Sequence, residues 1–291
     1  MADDEYLSSL LNWRSEMDAS LRRENDRLAL CGLTWLQKGF NTFGSSRDCD
    51  IILPKPAPRI IGAFDFDGSA VTLTLDLGQT IEVNGWPTST PTAIQPDDSP
   101  APSVVTYQRL RMVVIRRPHG VGVRVWDNGR PERQSFPGRK WFEPDLGYRV
   151  SAIYNPYPVP MKIQVPNVLG EMEDDMVYGY VSFTLGGRGR RLDVSELEDG
   201  RLYLQFRDRS NGITTYSEGR YLYTEPVHED GLVTVDFNRA FNPPSAFSPY
   251  STSTFAHKRN ELKIRVEVGE RFGKPEEESF LRSAVSAQPK S

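Results

Sequence analysis

The sequence predicts an all-β protein, mainly antiparallel, that begins with one helix. After residue 30, apolar and polar residues alternate with a period of two, as in the run 64–67 and over residues 121–126. Half-buried antiparallel strands produce this alternation, because successive side chains point to opposite faces of a sheet. Glycines that mark turns separate these runs: Gly39, Gly68, Gly78, Gly85 and Gly120.

The first segment has helical rather than strand periodicity. Its apolar residues form one stripe when the segment is drawn as a helix: Leu7, Leu10, Leu11, Met17, Leu21 and Leu28. Acidic residues at positions 3–5 lie where the helix dipole favours negative charge. We therefore predict a helix within residues 1–29 that packs against a sheet and stops near Asn25.

The strands divide into two modules. We predict a β-sandwich-like module at residues 30–126, a connecting segment at 127–147 and a β-barrel-like module at 148–275, with the sandwich packed on the barrel. Residues 276–291 are expected to form a flexible tail. The strands predicted for the second module are 148–154, 160–165, 177–185, 190–194, 201–208, 219–223, 232–237 and 262–268. The basic stretch GRGRR (187–191) lies between two of them, which predicts a hairpin turn, since a phosphate-binding loop would precede a helix.

Composition argues against two classes of partner. The chain of 291 residues has 35 Lys and Arg against 39 Asp and Glu, a net charge of −4. Nucleic acids and anionic membranes both favour a positive surplus, so we expect neither as a partner. No apolar run is long enough to span a bilayer, and the acidic N-terminus lacks the apolar stretch of a signal peptide. The two cysteines, Cys31 and Cys49, are then expected to be reduced thiols of a cytoplasmic protein.

The sequence lacks the motifs of the common catalytic and metal sites. It has neither a G-x-S-x-G nucleophile elbow nor a P-loop. The three histidines, His119, His228 and His257, are scattered without zinc-ligand spacing, and neither cysteine has a neighbouring base. We therefore predict no metal site and no cofactor.

The segment GFNTFGSSRDCDIIL (39–53) resembles the opening of forkhead-associated domains, which bind phosphothreonine. Gly44 and the run CDI at 49–51 match that motif. Where those domains have an arginine after the glycine, this chain has Ser45, and their phosphate-gripping Ser-Arg pair has no counterpart beside Arg59. The resemblance implies a β-sandwich scaffold that does not bind phosphopeptides.

Three long stretches carry a second resemblance: FRDRSNGITTYSEGRYLY (206–223), VTVDFNRAFNPPSAFSPY (233–250) and NELKIRVEVGER (260–271). Together with residues 124–150 and the stretch GLTWLQKG, they are similar to the uncharacterised family known as domain of unknown function 1684. This likeness implies a fold but no established activity. Members of the family have cysteines where this chain has Ser245 and Ser253, which implies thiols that act together, as a disulfide or a metal clamp.

The first candidate site pairs two charged residues of the second module. Asp208 lies at the end of a strand, on the same face as Leu204 and Phe206, and Arg220 faces the same interior from a neighbouring strand. An inward carboxylate is costly unless it is paired, so we predict that Asp208 and Arg220 are in contact. They form either part of a ligand site or a buried ion pair at one end of the barrel. Tyr216 adds a hydroxyl nearby, or packs between strands.

The second candidate site lies where a strand leads into a long loop. Asp236 points away from the apolar face of its strand, and Asn238 and Arg239 follow at the mouth of the loop 238–255. Their polar groups can line a pocket or satisfy the backbone of the loop. A loop this long is usually functional or disordered, and its many aromatic residues argue against disorder.

Three classes of function stay open at this point. The leading one is a small-ligand-binding protein whose pocket lies in the second module, where Arg220 and Arg239 hold a polar or anionic ligand. The second is a hydrolase- or lyase-type enzyme with Asp208 or Asp236 as general base. The third is a protein-interaction scaffold built on the forkhead-associated-like module. The sequence defines neither the ligand nor the oligomeric state.

Overall fold

The computed structural model describes residues 3–272, which form two compact units. One unit comprises residues 20–136. The other brings residues 3–19 together with residues 137–272, so most of the N-terminal helix belongs to the C-terminal unit. The predicted tail at 276–291 lies outside the described residues.

The N-terminal helix, α1 (Asp3–Leu21), is shorter than the predicted extent of 1–29. Asn25, which follows it, has a φ of 60°, and this left-handed conformation cannot continue a right-handed helix. The predicted apolar stripe is wrong at Leu11, which is 58% exposed. The buried positions are Tyr6, Leu10, Arg14 and Leu21. Within the described part of the chain, no helix is long and apolar enough to cross a membrane.

The unit at residues 20–136 is a β-sandwich. Its sheets have the strand orders β1-β11-β10-β9-β6-β7 and β3-β2-β4-β5-β8, and their buried residues share one apolar core. A short helix, α2 (Pro131–Ser135), follows the last strand. The strands are β1 (Leu30–Trp35), β2 (Gly39–Gly44), β3 (Ile51–Ile52), β4 (Gly62–Phe66), β5 (Val71–Leu75), β6 (Ile81–Val83), β7 (Trp86–Thr88), β8 (Thr92–Ile94), β9 (Val105–Tyr107), β10 (Leu110–Arg117) and β11 (Gly120–Asp127).

The C-terminal unit is a nearly closed barrel. Its main sheet has the order β17-β16-β15-β14-β13-β18, and the two end strands, β17 and β18, lie side by side at the seam. The strands are β12 (Lys140–Trp141), β13 (Arg149–Pro166), β14 (Met172–Leu185), β15 (Arg188–Glu196), β16 (Arg201–Asp208), β17 (Arg220–Pro226), β18 (Leu232–Asp236), β19 (Glu261–Leu262) and β20 (Glu270–Arg271). Short 3-10 helices span Leu146–Tyr148, Phe237–Arg239, Pro244–Ala246 and Lys258–Asn260.

The basic stretch at 187–191 is part of a hairpin, as predicted. Leu185 pairs with Arg188, which leaves a two-residue turn made by Gly186 and Gly187. Both glycines have positive φ, 61° and 70°, the backbone that a two-residue turn of this twist requires. The hairpin places β14 and β15 side by side in the barrel wall.

Two of the strands predicted for this unit need correction. The runs 148–154 and 160–165 belong to one continuous strand, β13, whose pairing with β14 is irregular between Pro156 and Met161. The run 262–268 is mostly not a strand, since only Glu261–Leu262 pairs with β16. Beyond it, the carbonyl of Ile264 accepts from the backbone N–H of Arg209, and the carbonyls of Val266 and Val268 accept from the side chain of Arg220.

Candidate functional site

A cavity of about 150 Å³ lies at the seam of the barrel, between β17 and β18. The beginning of β13 and the helix α1 complete its walls, so all of its residues belong to the C-terminal unit. Its lining residues carry hydroxyls and charges of both signs, although more of the surface that they present to the cavity is apolar than polar: Tyr6, Ser9, Arg149, Tyr223, Thr224, Glu225, Thr234, Asp236 and Arg239. The predicted site residues Asp236 and Arg239 are therefore brought together in one pocket.

The carboxylate of Asp236 is the buried acid of this cavity. The hydroxyl of Tyr6 donates to it, with oxygen–oxygen distances of 2.9 and 3.1 Å. The backbone N–H and the side-chain amide of Asn238 also donate to Oδ1, each at 3.1 Å, because Asp236 caps the 3-10 helix that follows β18. Arg239 Nε lies 3.5 Å from Oδ2. A buried carboxylate with this many donors is well compensated for its loss of water.

Tyr6 keeps its phenol proton under ordinary conditions. Burial raises the pKa of Tyr6 well above its usual range, and the neighbouring charge of Asp236 raises it further. The side chain is therefore a permanent hydrogen-bond donor to Asp236. Helix α1 thus supplies one wall of the cavity and also supports the acid on β18.

The two arginines of the cavity differ in the partners that they have within the protein. Arg239 is engaged within the protein: it pairs with Asp236, donates to Ser9 Oγ at 3.0 Å and stacks its guanidinium 5.5 Å from the ring centre of Trp13. Arg149 is exposed, with its guanidinium 5.1 Å from the ring centre of Tyr6. Among the described residues, no carboxylate pairs with Arg149.

Asn238 does not face the cavity, unlike its two predicted partners. Its side chain is fully buried and bonds to both backbone groups of Asp145, accepting from N–H and donating to C=O, each at 2.9 Å. The amide therefore joins the connecting segment to the end of β18. Asp236 and Arg239 line the cavity, whereas the amide of Asn238 satisfies the backbone of the connecting segment and not that of the loop 238–255.

Asp208 and Arg220 are in contact, as predicted. Arg220 Nη2 lies 2.8 Å from Asp208 Oδ2, and both side chains are completely buried. The second carboxylate oxygen, Oδ1, accepts from the N–H and the hydroxyl of Ser210 and from the N–H of Val266. Neither residue lines the seam cavity. The pair therefore belongs to the core, where it fastens residues 266–268 to the barrel, and ligand binding by these two residues is not supported.

Tyr216 lies in the turn between β16 and β17, away from the seam cavity. Its ring packs edge-on against Phe272, with 5.0 Å between ring centres. Its backbone carbonyl accepts a hydrogen bond from the amide of Asn211. The packing role anticipated for this tyrosine agrees with its surroundings better than a ligand-binding role does.

A second polar cluster surrounds the buried carboxylate of Asp193 on β15. Arg259 Nε lies 3.0 Å from Oδ2, Arg191 Nη2 lies 3.2 Å from Oδ1, and His257 Nδ1 lies 3.9 Å from Oδ2. Burial lowers the pKa of His257, and the charge of Arg259 lowers it further. The adjoining cavity measures about 20 Å³, which is room for about one water molecule. This cluster fastens the end of the long loop to the barrel wall.

Ser245 and Ser253 are neighbours in space. The backbone N–H of Ser245 donates to the hydroxyl of Ser253 at 3.0 Å, across the 3-10 turn and the loop that follows it. The two positions at which the resembled family has cysteines are thus adjacent here, where a hydrogen bond replaces any link between thiols. In the described part of the chain, no group of three or more histidine, cysteine or acidic side chains is placed to hold a metal ion.

Sequence reasoning missed the residues that complete the seam cavity. Tyr6 and Ser9 come from the N-terminal helix, more than 200 positions before β18, and only the barrel seam brings them together. Arg149 and Glu225 lie at strand ends, where no feature of the sequence distinguishes them from other polar residues. Arg149 lies opposite Asp236 in the register of β13 with β18, which the structure supplies and the sequence does not.

Taken together, fold and site define a two-unit β protein whose C-terminal barrel carries a small cavity at its seam. A family model described as "Protein of unknown function (DUF1684)" matches residues 134–271, and the chain belongs to this family. The match includes β13, β17, β18 and Arg239, whereas α1 and the stretch GLTWLQKG lie outside it.

Among solved structures, the chain is similar to an uncharacterized protein of Haloarcula marismortui determined by solution NMR. The sequence identity is 31%, the match covers 49% of this chain and 81% of that one, and the TM-score is 0.41. No curated protein matches the chain significantly.

Proposed function

We propose that the C-terminal unit binds one small polar ligand with an anionic group in the seam cavity. The observation that carries this proposal is Arg149, an exposed guanidinium on the cavity wall without a carboxylate partner among the described residues. Its position over the ring of Tyr6 holds the planar head group in place. Such a guanidinium can bind a carboxylate or phosphate with two parallel hydrogen bonds.

The dimensions of the cavity restrict the ligand. A volume of about 150 Å³ equals that of a cavity able to hold benzene, a molecule of about six non-hydrogen atoms. Pockets for drug-sized molecules begin at roughly 300 Å³. The ligand is therefore a small metabolite-sized ion, and the hydroxyls of Ser9 and Thr234 offer it further hydrogen bonds.

The enzyme alternative receives less support. Asp208, one of its two candidate general bases, is completely buried against Arg220 and lies outside the cavity lining. Asp236, the other, already accepts hydrogen bonds from Tyr6 and Asn238. A general base needs direct or water-mediated access to the proton that it removes. Because the carboxylate of Asp236 already accepts these hydrogen bonds, a role in supporting the binding site is favoured over a role as general base.

Calorimetric titration of the full chain tests this proposal, with acetate, lactate, alanine and inorganic phosphate as probes at constant ionic strength. We expect one-to-one binding of at least one probe and a loss of about tenfold or more in Arg149→Gln, since a charge-assisted hydrogen bond contributes about 1.5–3 kcal/mol. The control is Arg265→Gln, a 55% exposed arginine outside the cavity, which should bind like the wild type. Failure of every probe to bind, or equal binding by Arg149→Gln, would contradict the proposal.

A further inference from the structure

We propose that the ligand of the seam cavity is a small zwitterion, an amino carboxylate, and this inference rests on the binding function proposed above. The basis is the set of charged side chains on the cavity walls that form no ion pair within the described chain. Four charged side chains line the cavity, two of each sign. Two of the four form an ion pair with each other, so one positive and one negative side chain remain to bind a ligand.

Asp236 and Arg239 neutralise each other inside the protein. They form an ion pair at 3.5 Å, and their other polar atoms bond to Tyr6, Asn238 and Ser9. This pair therefore contributes little net charge to the cavity.

Arg149 and Glu225 are the two charged side chains of the cavity without an ion-pair partner in the described chain. Both are exposed, and neither side chain forms an ion pair within the described chain, with each other or with a third residue. Arg149 begins β13, next to β18, whereas Glu225 lies on β17, across the seam. Opposite charges thus face one cavity from its two sides.

A simple anion would satisfy only half of this arrangement. Arg149 and Glu225 line the same small cavity, so a carboxylate held by Arg149 is repelled by the like charge of Glu225. A ligand that also carries an ammonium group turns this repulsion into attraction, and specificity between related ligands arises from such differences. An α-amino acid with a small side chain places both charges within a few bonds of each other.

The cavity volume agrees with this class of ligand. Alanine has six non-hydrogen atoms, the number expected for a cavity of about 150 Å³. Ser9 and Thr234 add hydroxyls to the wall, which the side chains of Tyr6 and Tyr223 also line. A cavity of this volume has no room for larger amino acids.

Three small probes that differ in their charged groups separate the possibilities by calorimetric titration of the full chain. Alanine carries both charges, lactate replaces the ammonium group by a hydroxyl, and isopropylamine replaces the carboxylate by a methyl group. We expect alanine to bind at least about tenfold more tightly than lactate, and isopropylamine to bind more weakly than either. Glycine and β-alanine, tested alongside, cover shorter and longer separations of the charges.

Variants assign each charge of the ligand to its residue. Glu225→Gln should reduce alanine binding to the level of lactate and leave lactate binding unchanged or stronger. Arg149→Gln should weaken both ligands, and Glu198→Gln, an exposed glutamate outside the cavity, should behave like the wild type. Melting temperatures of the variants establish that each one is folded.

The outcomes distinguish this inference from the function on which it rests. If lactate binds as tightly as alanine, glycine and β-alanine, the zwitterion proposal is overturned, while the anion-binding function stands. If none of these probes binds and acetate and phosphate also fail, both are overturned.

Discussion

The guanidinium of Arg220 and the carboxylate of Asp208 form an ion pair at 2.8 Å, with both side chains completely buried. Arg220 also donates to the carbonyls of Val266 and Val268, and Asp208 accepts from the N–H of Val266. The pair therefore fastens an irregular backbone segment that no strand partner holds. Because the pair lies in the core, substituting one of its residues measures its contribution to the stability of the fold, and no ligand is involved.

We predict that Asp208→Ala lowers the free energy of unfolding by about 3–5 kcal/mol, because the substitution leaves a buried guanidinium without its counter-charge. Urea unfolding followed by circular dichroism measures this change. Asp199→Ala, which removes an exposed ion pair with Arg201, is the control and should have no comparable effect. An unchanged unfolding midpoint in Asp208→Ala would show that the pair does not hold the fold.

Much of this core was predictable from the sequence, for a definite reason. The inward parity of Asp208 and Arg220 follows from strand periodicity, which a local run of residues displays. The seam cavity was only partly predictable. Asp236 and Arg239 stand beside a recognisable loop, but Tyr6 is brought to Asp236 by the packing of a helix against the barrel, and no local pattern encodes that contact.

The predicted strand at 262–268 failed for a related reason. Its alternating apolar residues are buried as the pattern indicates, with Leu262, Val266 and Val268 each at most 2% exposed. At Val266 and Val268, however, the backbone bonds to the side chains of Arg220 and Asp208 and not to a neighbouring strand. Periodicity reports which side chains are buried, and it does not identify the partner of each backbone group.

We predict that Tyr6→Phe changes how stability depends on alkaline pH. The raised pKa of Tyr6 in the folded protein means that the unfolded chain loses this proton first, as the pH rises through its usual value of 10.0. Folding stability therefore falls above that pH, and removing the hydroxyl removes this contribution. Urea unfolding from about pH 9 to about pH 11 should show a shallower decline for Tyr6→Phe than for the wild type. Parallel declines would contradict the burial of the Tyr6 hydroxyl.

Cysteines at the two adjacent serine positions should form a disulfide. The contact between Ser245 N and Ser253 Oγ places the side chains side by side, so we expect Ser245→Cys/Ser253→Cys to oxidise and to gain about 2–3 kcal/mol from closing this short loop. Thiol titration and thermal melting with and without reductant measure the effect. The single variant Ser245→Cys is the control, and a double variant that keeps two free thiols in air would refute the prediction.

The β-sandwich unit should not bind phosphothreonine peptides. Ser45 donates both its N–H and its hydroxyl to the carbonyl of Pro58, so it contributes a neutral, occupied side chain where an arginine would be needed. A single contact from Arg59 would supply about 1.5–3 kcal/mol, less than the cost of at least about 4 kcal/mol for association. Calorimetric titration with a phosphothreonine peptide library is the measurement. Micromolar binding that disappears on dephosphorylation would contradict this prediction and favour the scaffold hypothesis.

The electron density of the seam cavity, in crystals of the full chain grown with a saturating concentration of alanine, tests the central claim most directly. We predict density for one alanine, with its carboxylate on the guanidinium of Arg149 and its ammonium group toward Glu225. Crystals of Arg149→Gln grown in the same way should lack this density. A cavity that holds only water in the wild-type crystals at saturating alanine would contradict the account.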